Sequence, residues 1–266
     1  MGDNIGKFTY MDSRYYWKDG VAYPSVTTIL SAYPKPYLIE WRGNLGNEAA
    51  DKIMKEAAEK GSAVHSAVEK ALRYGAKIRW YQPGEQYAPS DIVVDDQFTY
   101  ISILKIARWF EIVQPRVVKT EFVVWSPKYD FAGTVDLLVE IAGGTYEVNG
   151  AKPLELESGY YIVDFKTGRT VGAEARMQLG AYAAACEKKG LKGGLIVHTQ
   201  SQNRKGVEGL GTTLVANLRE EFARFRAVQT VWKMYQSANR PEPVELPLEI
   251  IIKHTHNQKQ KNRKES

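Results

Sequence analysis

The sequence YYIVDFKTG, residues 160–168, sets the centre of the predicted fold. Its apolar run predicts a buried strand, and the glycine that closes it predicts a turn. Side chains alternate along a strand, so Asp164 and Lys166 share one face while Val163 and Phe165 share the other. A carboxylate and an ammonium at the end of a buried strand are costly to desolvate unless something uses them. A divalent cation and an attacking water would use both.

The chain before this strand predicts helices first and strands afterwards. A hairpin around Asp19 and Gly20 and a short helix capped by Ser25 come early. Apolar stripes then predict helices over residues 48–74 and 95–113, the first of them interrupted at Gly61. Strands are predicted over residues 117–125 and 131–141, and a weak strand or a long loop precedes residue 160.

The chain after this strand predicts a helix over residues 173–189, a strand over 194–199, a polar loop over 201–211 and a helix over 213–238. A helix between two strands favours a parallel return to the same sheet. The predicted fold class is therefore α/β, with a central mixed β-sheet flanked by helices on both faces and an N-terminal helical elaboration. We expect one domain over residues 1–252, with a helical part over 24–113, a core over 115–200 and a C-terminal helix over 213–238.

Composition places the chain among globular proteins, with 44% hydrophobic and 25% charged residues. No run of about 18 apolar residues exists, and the N-terminus lacks an apolar signal core, so we expect a cytoplasmic protein without a membrane span. The single cysteine, Cys186, excludes an intrachain disulfide and a cysteine-based zinc or iron–sulfur site. Its alanine-rich surroundings favour a small buried helix residue over a reactive thiol.

The net charge of +5 is concentrated at the C-terminus. Residues 253–266 carry a net +4, which leaves only +1 for the rest of the chain. We expect this basic tail to be disordered, and it either adds affinity for phosphates or only solubilises the protein. Its basic residues are Lys253, Lys259, Lys261, Arg263 and Lys264.

A second acid interrupts the strand predicted over residues 131–141. Asp136 has apolar neighbours on both sides, and buried acids are rare unless they are paired or bound to metal. Two aspartates on neighbouring strands can share one hard divalent cation, which prefers carboxylate oxygens. Asp136 and Asp164 are therefore candidate ligands of one cation.

Two further side chains are candidates for the same cation. His65 lies beside the apolar stripe of its helix, where a lone histidine is more often a hydrogen-bonded packing residue. The acids elsewhere in the chain favour the alternative that His65 is a metal ligand. An imidazole added to carboxylates would let the site accept Mn²⁺ as well as Mg²⁺. Glu121, on the preceding strand, is either a ligand through a water or a cross-strand charge partner.

The helix after Lys166 presents Gln178 and Tyr182 on one face, since they are four residues apart. They either reach back over the end of the strand or contact a phosphate. The alternative is that Tyr182 belongs to the core and Gln178 faces solvent, and spacing alone does not separate these possibilities.

Taken in order, these residues resemble the motifs of the RecB-like branch of the PD-(D/E)XK nuclease superfamily. The order is His65, Gly133-x-x-Asp136, Asp164-x-Lys166 and Gln178-x-x-x-Tyr182. Residues 24–30 and 61–69 also resemble phage-encoded exonucleases of that branch, so the resemblance covers residues from about 20 to about 200. Asp-x-Lys alone is frequent by chance, whereas four motifs in order are a strong signal.

The chain departs from the family pattern in several places. Val135 precedes Asp136 where the superfamily name has proline, and the separation of Asp136 from Asp164 is long. Many relatives hold an iron–sulfur cluster with four cysteines, which this chain lacks. No Walker-type phosphate-binding motif is present, so we expect no fused helicase motor.

The resemblance implies a restriction-endonuclease-like core and metal-dependent hydrolysis of DNA phosphodiester bonds, as an exonuclease of recombination, repair or phage DNA metabolism. It implies one or two Mg²⁺ or Mn²⁺ ions, and no iron–sulfur cluster. Lys166 would orient the attacking water or stabilise the transition state, with Gln178 and Tyr182 positioning the lysine or the phosphate. The implied metal ligands are His65, Asp136, Asp164 and the backbone carbonyl of Phe165, with Glu121 as a further candidate.

Partners and alternative functions follow from the same resemblance. We expect DNA ends, single- or double-stranded, as the substrate, and a single-strand-binding or annealing protein as a partner in a bacterial or phage-infected cell. Arg176, Trp41 and the basic tail are candidate DNA contacts. The alternatives are a structure-specific endonuclease of the same fold and a non-catalytic DNA-end-binding factor.

Overall fold

The computed structural model describes residues 6–11, 13–148, 153–168, 171–200, 209–236 and 241. The first part of the chain holds, in order, β1 (Gly6–Tyr10), β2 (Ser13–Lys18), β3 (Val21–Pro24), α1 (Val26–Leu30), α2 (Pro36–Leu45), α3 (Asn47–Tyr74), β4 (Ile78–Trp80), β5 (Ile92–Val94) and α4 (Gln97–Val113). The second part holds β6 (Arg116–Ser126), β7 (Phe131–Ile141), β8 (Gly144–Tyr146), β9 (Leu154–Leu156), β10 (Gly159–Lys166), α5 (Ala173–Ala185), β11 (Leu191–His198), β12 (Gly211–Val215) and α6 (Leu218–Gln236).

Five strands form a central mixed sheet in the order β12-β11-β10-β7-β6. β10 runs parallel to β11, and the other neighbouring pairs are antiparallel. α5 connects β10 to β11, as a parallel return requires. The predicted α/β class and the mixed sheet are therefore confirmed, and β1–β3 form a separate antiparallel sheet.

Helices cover both faces of the central sheet. On the face that we call the α3/α4 face, Val64 of α3 and Trp109 of α4 pack in one apolar cluster with Val163 and Phe165 of β10. On the opposite face, the α5/α6 face, the cluster combines residues of α1, α5 and α6 with Ile162 of β10. The predicted alternation of β10 is therefore confirmed, and each fully buried aliphatic side chain contributes about 1.5–3 kcal/mol.

The helix predicted over residues 213–238 is wrong at its start. The chain first forms β12, which pairs with β11 along the edge of the sheet. Thr212, Thr213 and Val215 are β-branched, and such residues fit a strand better than a helix. The helix begins only after Asn217, whose side chain accepts the backbone N–H of Glu220 at 3.2 Å as a cap.

Two smaller predictions also need correction. α3 is continuous through Gly61, where an interruption was predicted. α5 ends at Ala185 rather than at residue 189, because Cys186 already has extended backbone angles. The chain then turns back toward β11, and the ammonium of Lys188 lies 3.6 Å from the ring centroid of Tyr160. The tail over residues 253–266 and most of the loop over 201–211 lie outside the described residues.

The helical hairpin formed by α2 and the first half of α3 is largely exposed to solvent. α2 has no buried residue, and within the first half of α3 only Ala50 is buried. Farther along α3, Val64, Ala67 and Val68 are buried at helical spacing and fix this half of the helix on the sheet. None of the helices in the described ranges combines the length and hydrophobicity that crossing a membrane would need.

One glycine is required where α5 meets α6. A Cβ atom on Gly180 would lie 2.4 Å from the backbone nitrogen of Phe222. Backbone atoms cannot yield without moving the helix, so we expect Gly180→Ala to lower the free energy of unfolding by about 3 kcal/mol. Urea denaturation measures this change. Gly43→Ala, at an open position of α2, serves as the control and should be neutral or stabilising by about 0.5–1 kcal/mol; equal effects of the two changes would contradict the packing explanation.

Candidate metal centre

Three acids lie side by side on neighbouring strands of the central sheet. The ladder between β7 and β10 ends one pair before Asp136 and Asp164, and the ladder between β6 and β7 skips Glu121 and Asp136. Continuing both registers places Asp136 opposite Asp164 on one side and opposite Glu121 on the other. Glu121 has a φ of 43°, in the left-handed region, which marks an irregularity of β6 at this level.

The regular alternation of β7 breaks at Asp136. Val135 packs on the α5/α6 face and Leu137 on the α3/α4 face, although side chains two apart on a regular strand share a face. The Asp136 carboxylate accepts the backbone N–H of Phe165 at 2.7 Å, where the ladder between the strands has ended. Burial alone would raise the pKa of Asp136, but the charges of His65 and Lys166 and this hydrogen bond outweigh it, so the pKa lies below its usual value.

His65 brings α3 to the acids. Its Nε2 atom lies 3.1 Å from the carbonyl oxygen of Phe165, and its Nδ1 atom lies 3.3 Å from Asp136 Oδ2 and 3.8 Å from Glu121 Oε1. The candidate ligand atoms of these three side chains all lie within 4.8 Å of one another. Burial lowers the pKa of His65, but the charge and hydrogen bond of Asp136 outweigh it and raise the pKa well above its ordinary value.

These side chains fit a divalent cation. When the Nε2–H of a neutral His65 donates to the Phe165 carbonyl, Nδ1 presents a lone pair to the carboxylates of Asp136 and Glu121. That arrangement is repulsive unless a proton or a cation lies between them, and the raised pKa of His65 expresses this demand for positive charge. One imidazole and two carboxylates suit Mn²⁺ and also admit Mg²⁺.

Asp164 and Lys166 form an ion pair next to this cluster. The Lys166 amine lies 3.0 Å from Asp164 Oδ1, to which it donates, and 2.8 Å from Oδ2. The Oδ2 contact lacks hydrogen-bond geometry, so among the described residues the buried Oδ2 has no hydrogen-bond partner. Burial raises the pKa of Asp164 to about 6. The negative charge of the Oδ2 oxygen is therefore balanced by Lys166 without a directed hydrogen bond, which leaves a lone pair for a further cation.

Gln178 joins this ion pair to Tyr182. Its Oε1 atom accepts from Lys166 at 3.1 Å, while its Nε2 atom donates to Asp164 at 3.0 Å and to the Tyr182 hydroxyl at 2.9 Å. Both side chains are buried, so the alternative of a solvent-facing Gln178 does not hold. Burial, followed by the charges of Asp164 and Asp136, raises the pKa of Tyr182 well above its ordinary value and keeps the phenol neutral.

Gly133 makes room for this network on β7. A Cβ atom there would lie 2.4 Å from Cε1 of Tyr182, so only glycine lets the ring rest on the strand. The glycine of the Gly133-x-x-Asp136 pattern therefore has a packing reason that is separate from the chemistry of the acid.

The structure brings most of the predicted site residues to one region. His65, Asp136 and the Phe165 carbonyl meet as expected, while Asp164, paired with Lys166, lies beside the set of His65, Glu121 and Asp136 rather than within it. Glu121, for which two roles were open, stands among the candidate ligands. Of the predicted DNA contacts, Arg176 is exposed on α5 and Trp41 is half-buried on α2, while the remaining ones lie outside the described residues: Lys253, Lys259, Lys261, Arg263 and Lys264.

Two residues at this site were not identified from the sequence. The hydroxyl of Tyr16 hydrogen-bonds Thr134 Oγ1 at 2.8 Å, which joins the small N-terminal sheet to β7. Thr134 could have been found, since it lies two residues before Asp136 on the same strand. Tyr16 carries no such signal, because only the packing of distant strands brings it there.

Comparison of the sequence with protein-family models and with curated proteins finds no match. Any functional conclusion therefore depends on the site itself and on the resemblance of its motifs.

Proposed function

We propose that this protein is a metal-dependent deoxyribonuclease that hydrolyses DNA phosphodiester bonds as an exonuclease. One observation carries the proposal: an imidazole, three carboxylates and a lysine converge at one region of the central sheet. Within this group, the Nδ1 atom of His65 faces two carboxylates, and the buried Oδ2 atom of Asp164 is held by the charge of Lys166 without a hydrogen bond. Such an arrangement is unfavourable without bound positive charge, and it suits a cation that is shared with a phosphate.

His65, Glu121, Asp136 and Asp164 would hold the cation, with the Phe165 carbonyl as a further oxygen donor. A bound Mg²⁺ or Mn²⁺ supplies a water of lowered pKa and offsets the negative charge of the phosphate. The carboxylates of Asp136 and Asp164 are available for this purpose near neutral pH, because the pKa of Asp136 is lowered and that of Asp164 is raised only to about 6.

Lys166 acts as a charged hydrogen-bond donor in this proposal. Burial would lower its pKa, but the charges of Asp164 and Asp136 outweigh burial and raise it, so the amine stays protonated. A protonated amine cannot take a proton from water, which favours stabilisation of charge on the phosphate over a role as the base. The side chain is 32% exposed, so the amine is accessible to a substrate.

The distinction between exonuclease and endonuclease comes from the resemblance to phage-type exonucleases. A covalently closed circular DNA separates the two functions, since an exonuclease leaves it intact while it degrades the linear form. A non-catalytic DNA-end-binding factor would bind both ends of linear DNA and release no nucleotides at any metal concentration.

The proposal is tested by incubating the purified protein with end-labelled linear DNA and Mg²⁺ or Mn²⁺, with and without chelator. We expect metal-dependent release of nucleotides, abolished by the chelator and reduced at least about a hundredfold in Asp136→Asn. Asp51→Asn is the control, because Asp51 is an exposed acid about 21 Å away along the axis of α3 from His65. Degradation that persists in chelator, or in Asp136→Asn at the wild-type rate, would refute the proposal.

A second readout does not depend on activity. Mn²⁺ at a hundredfold excess over its Kd should stabilise the wild-type protein by about 2.7 kcal/mol, which raises Tm by on the order of 5 °C. The Asp136→Asn protein should lose most of this shift, and Asp51→Asn should keep it. No Mn²⁺-dependent shift in the wild-type protein would count against a metal centre.

A further inference from the structure

Two basic side chains share one face of the small sheet formed by β1–β3. Lys7 of β1 lies directly opposite Tyr16 of β2 in the antiparallel register, and Arg14 lies two residues before Tyr16. Side chains two apart on a strand share a face, as do directly opposed partners. Lys7, Arg14 and Tyr16 therefore project to the same side. On the opposite face, the ring of Phe8 stacks on Tyr15 and meets Trp17 edge-on.

Tyr16 fixes this face relative to the candidate metal centre. Its hydroxyl bonds Thr134, two residues before Asp136 on β7, and its ring packs edge-on against Trp125 of β6. The face that carries Lys7 and Arg14 is thereby held beside the strands that bear Asp136 and Glu121.

The backbone of Arg14 is also fixed. Its N–H donates to Thr28 Oγ1 at 2.9 Å, and its carbonyl accepts from the N–H of Ser25 at 2.9 Å and from Thr28 Oγ1 at 3.0 Å. Ser25 and Thr28 belong to the capped start of α1, which is anchored in the core. The position from which the guanidinium extends is therefore set before any ligand arrives.

The two cations are close together and lack an acidic partner. Burial and then the positive charge of Arg14 lower the pKa of Lys7, while Glu121 and Glu69 act in the opposite direction. Among the described residues, no carboxylate oxygen lies within 4 Å of either cation. Glu69 instead pairs with Arg73 at 3.0 Å, and Glu121 faces His65. Two like charges held together without an acidic partner leave a place for an anion.

We propose that Lys7 and Arg14 bind a phosphodiester group of the nucleic-acid strand, adjacent to the one that the metal centre hydrolyses. This inference rests on the proposed function, because a strand whose reacting phosphate lies among the acids must carry further phosphates past the neighbouring surface. The guanidinium contacts phosphate oxygens in a bidentate manner, and the ammonium adds a point charge. The carboxylates of the candidate metal centre repel a nucleic-acid strand. The positive charges of Lys7 and Arg14, beside those carboxylates, offset the repulsion.

Binding is measured without chemistry, by fluorescence anisotropy of a labelled single-stranded DNA in the presence of chelator. We expect the double variant Lys7→Gln/Arg14→Gln to weaken affinity about tenfold at moderate salt and to reduce the slope of log K against log salt by about 1.4. Lys189→Gln removes one charge from the connection before β11, at the end of β11 opposite to His198. Lys189→Gln should change neither the affinity nor the salt slope. Arg14→Lys keeps the positive charge and should therefore keep most of the wild-type slope.

Two further measurements locate the contact of Lys7 and Arg14 on the DNA. Probes with a 5′-hydroxyl and a 5′-phosphate should lose affinity equally, whereas a loss confined to the 5′-phosphorylated probe would contradict contact with an internal phosphodiester. In the cleavage assay, the double variant should raise KM about tenfold with kcat unchanged. Far-UV circular dichroism and Tm establish that each variant is folded, and the single variants Lys7→Gln and Arg14→Gln replace the double variant if it is not.

The outcomes separate this inference from the proposed function. A wild-type protein that cleaves DNA, together with a double variant that keeps wild-type affinity and salt slope, overturns the inference alone. A wild-type protein that binds the probe but never cleaves DNA refutes the nuclease proposal, and the anisotropy results still decide the role of Lys7 and Arg14.

Discussion

The Asp164→Asn protein is expected to fold normally and to lose at least about a thousandfold in kcat. Asparagine keeps the size of the side chain and can still accept from Lys166 and Gln178, which contact Asp164 at 3.0 Å each. It removes the negative charge of the carboxylate whose buried Oδ2 atom has no hydrogen-bond donor among the described residues. Steady-state kinetics with labelled DNA and Mn²⁺ measures the loss.

The same variant should gain stability when metal is absent. The pKa of Asp164 is raised from 3.8 to about 6 by burial, so ionising this group in the folded protein costs free energy. The cost is absent at low pH and grows as pH rises between about 4 and 6, up to about 3 kcal/mol. Urea denaturation in chelator should show a higher free energy of unfolding for the variant than for the wild type at pH 7.5, and no such difference at pH 4.

These two results together distinguish a site from a structural ion pair. If Asp164 only stabilised the fold through Lys166, then Asp164→Asn would lower stability at pH 7.5 and leave the kcat of the folded fraction unchanged. A variant that loses activity and gains stability is expected when the role of the carboxylate is to bind a ligand and not to stabilise the fold.

Lys166→Met is expected to lower kcat by about a hundredfold to a thousandfold while KM changes less than about threefold. Methionine keeps the unbranched apolar part of the side chain but offers no charged donor to the phosphate. Rapid-mixing kinetics at saturating DNA measures the step, and anisotropy in chelator establishes that binding is kept. A variant that loses affinity and keeps kcat would show that Lys166 binds the ground state instead.

We expect Gln178 to act by positioning the amine of Lys166 and not by contacting the phosphate itself. Gln178→Leu removes the 3.1 Å contact to the amine and is expected to lower kcat about tenfold on its own. In Lys166→Met, the same change should add little, because the group that it positions is already gone. Full additivity in this double-mutant cycle would indicate that Gln178 contacts the phosphate directly.

Local patterns in the sequence predicted much of this structure. Period-two alternation around Asp164 gave the strand and its two faces, and the Asp19-Gly20 turn and the Ser25 cap were found from turn and cap chemistry. β12 was missed because a short β-branched segment ran directly into an amphipathic helix. Its identity as a strand depends on the free edge of β11, which no local pattern contains.

The candidate site was also predictable only where local sequence patterns carry the information. Residue types and strand spacing identified His65, Asp136 and Asp164, yet no pattern could reveal the irregular strands around them. The break in alternation at Asp136 and the left-handed backbone of Glu121 set which carboxylates face His65. Lys7 and Arg14 were not identified because they reach this region through a small sheet formed by residues far from the motifs in the sequence.

The exposed hairpin of α2 and α3 has a consequence for local unfolding of the protein. The buried residues of α3 that touch the sheet lie around His65, whereas α2 and the preceding turns of α3 are largely solvated. One unbroken helix thus carries two local stabilities: a solvated arm that frays at little cost, and an anchored segment that unfolds only with the sheet. The imidazole sits on the anchored side of that boundary, so fluctuations of the arm leave its position undisturbed.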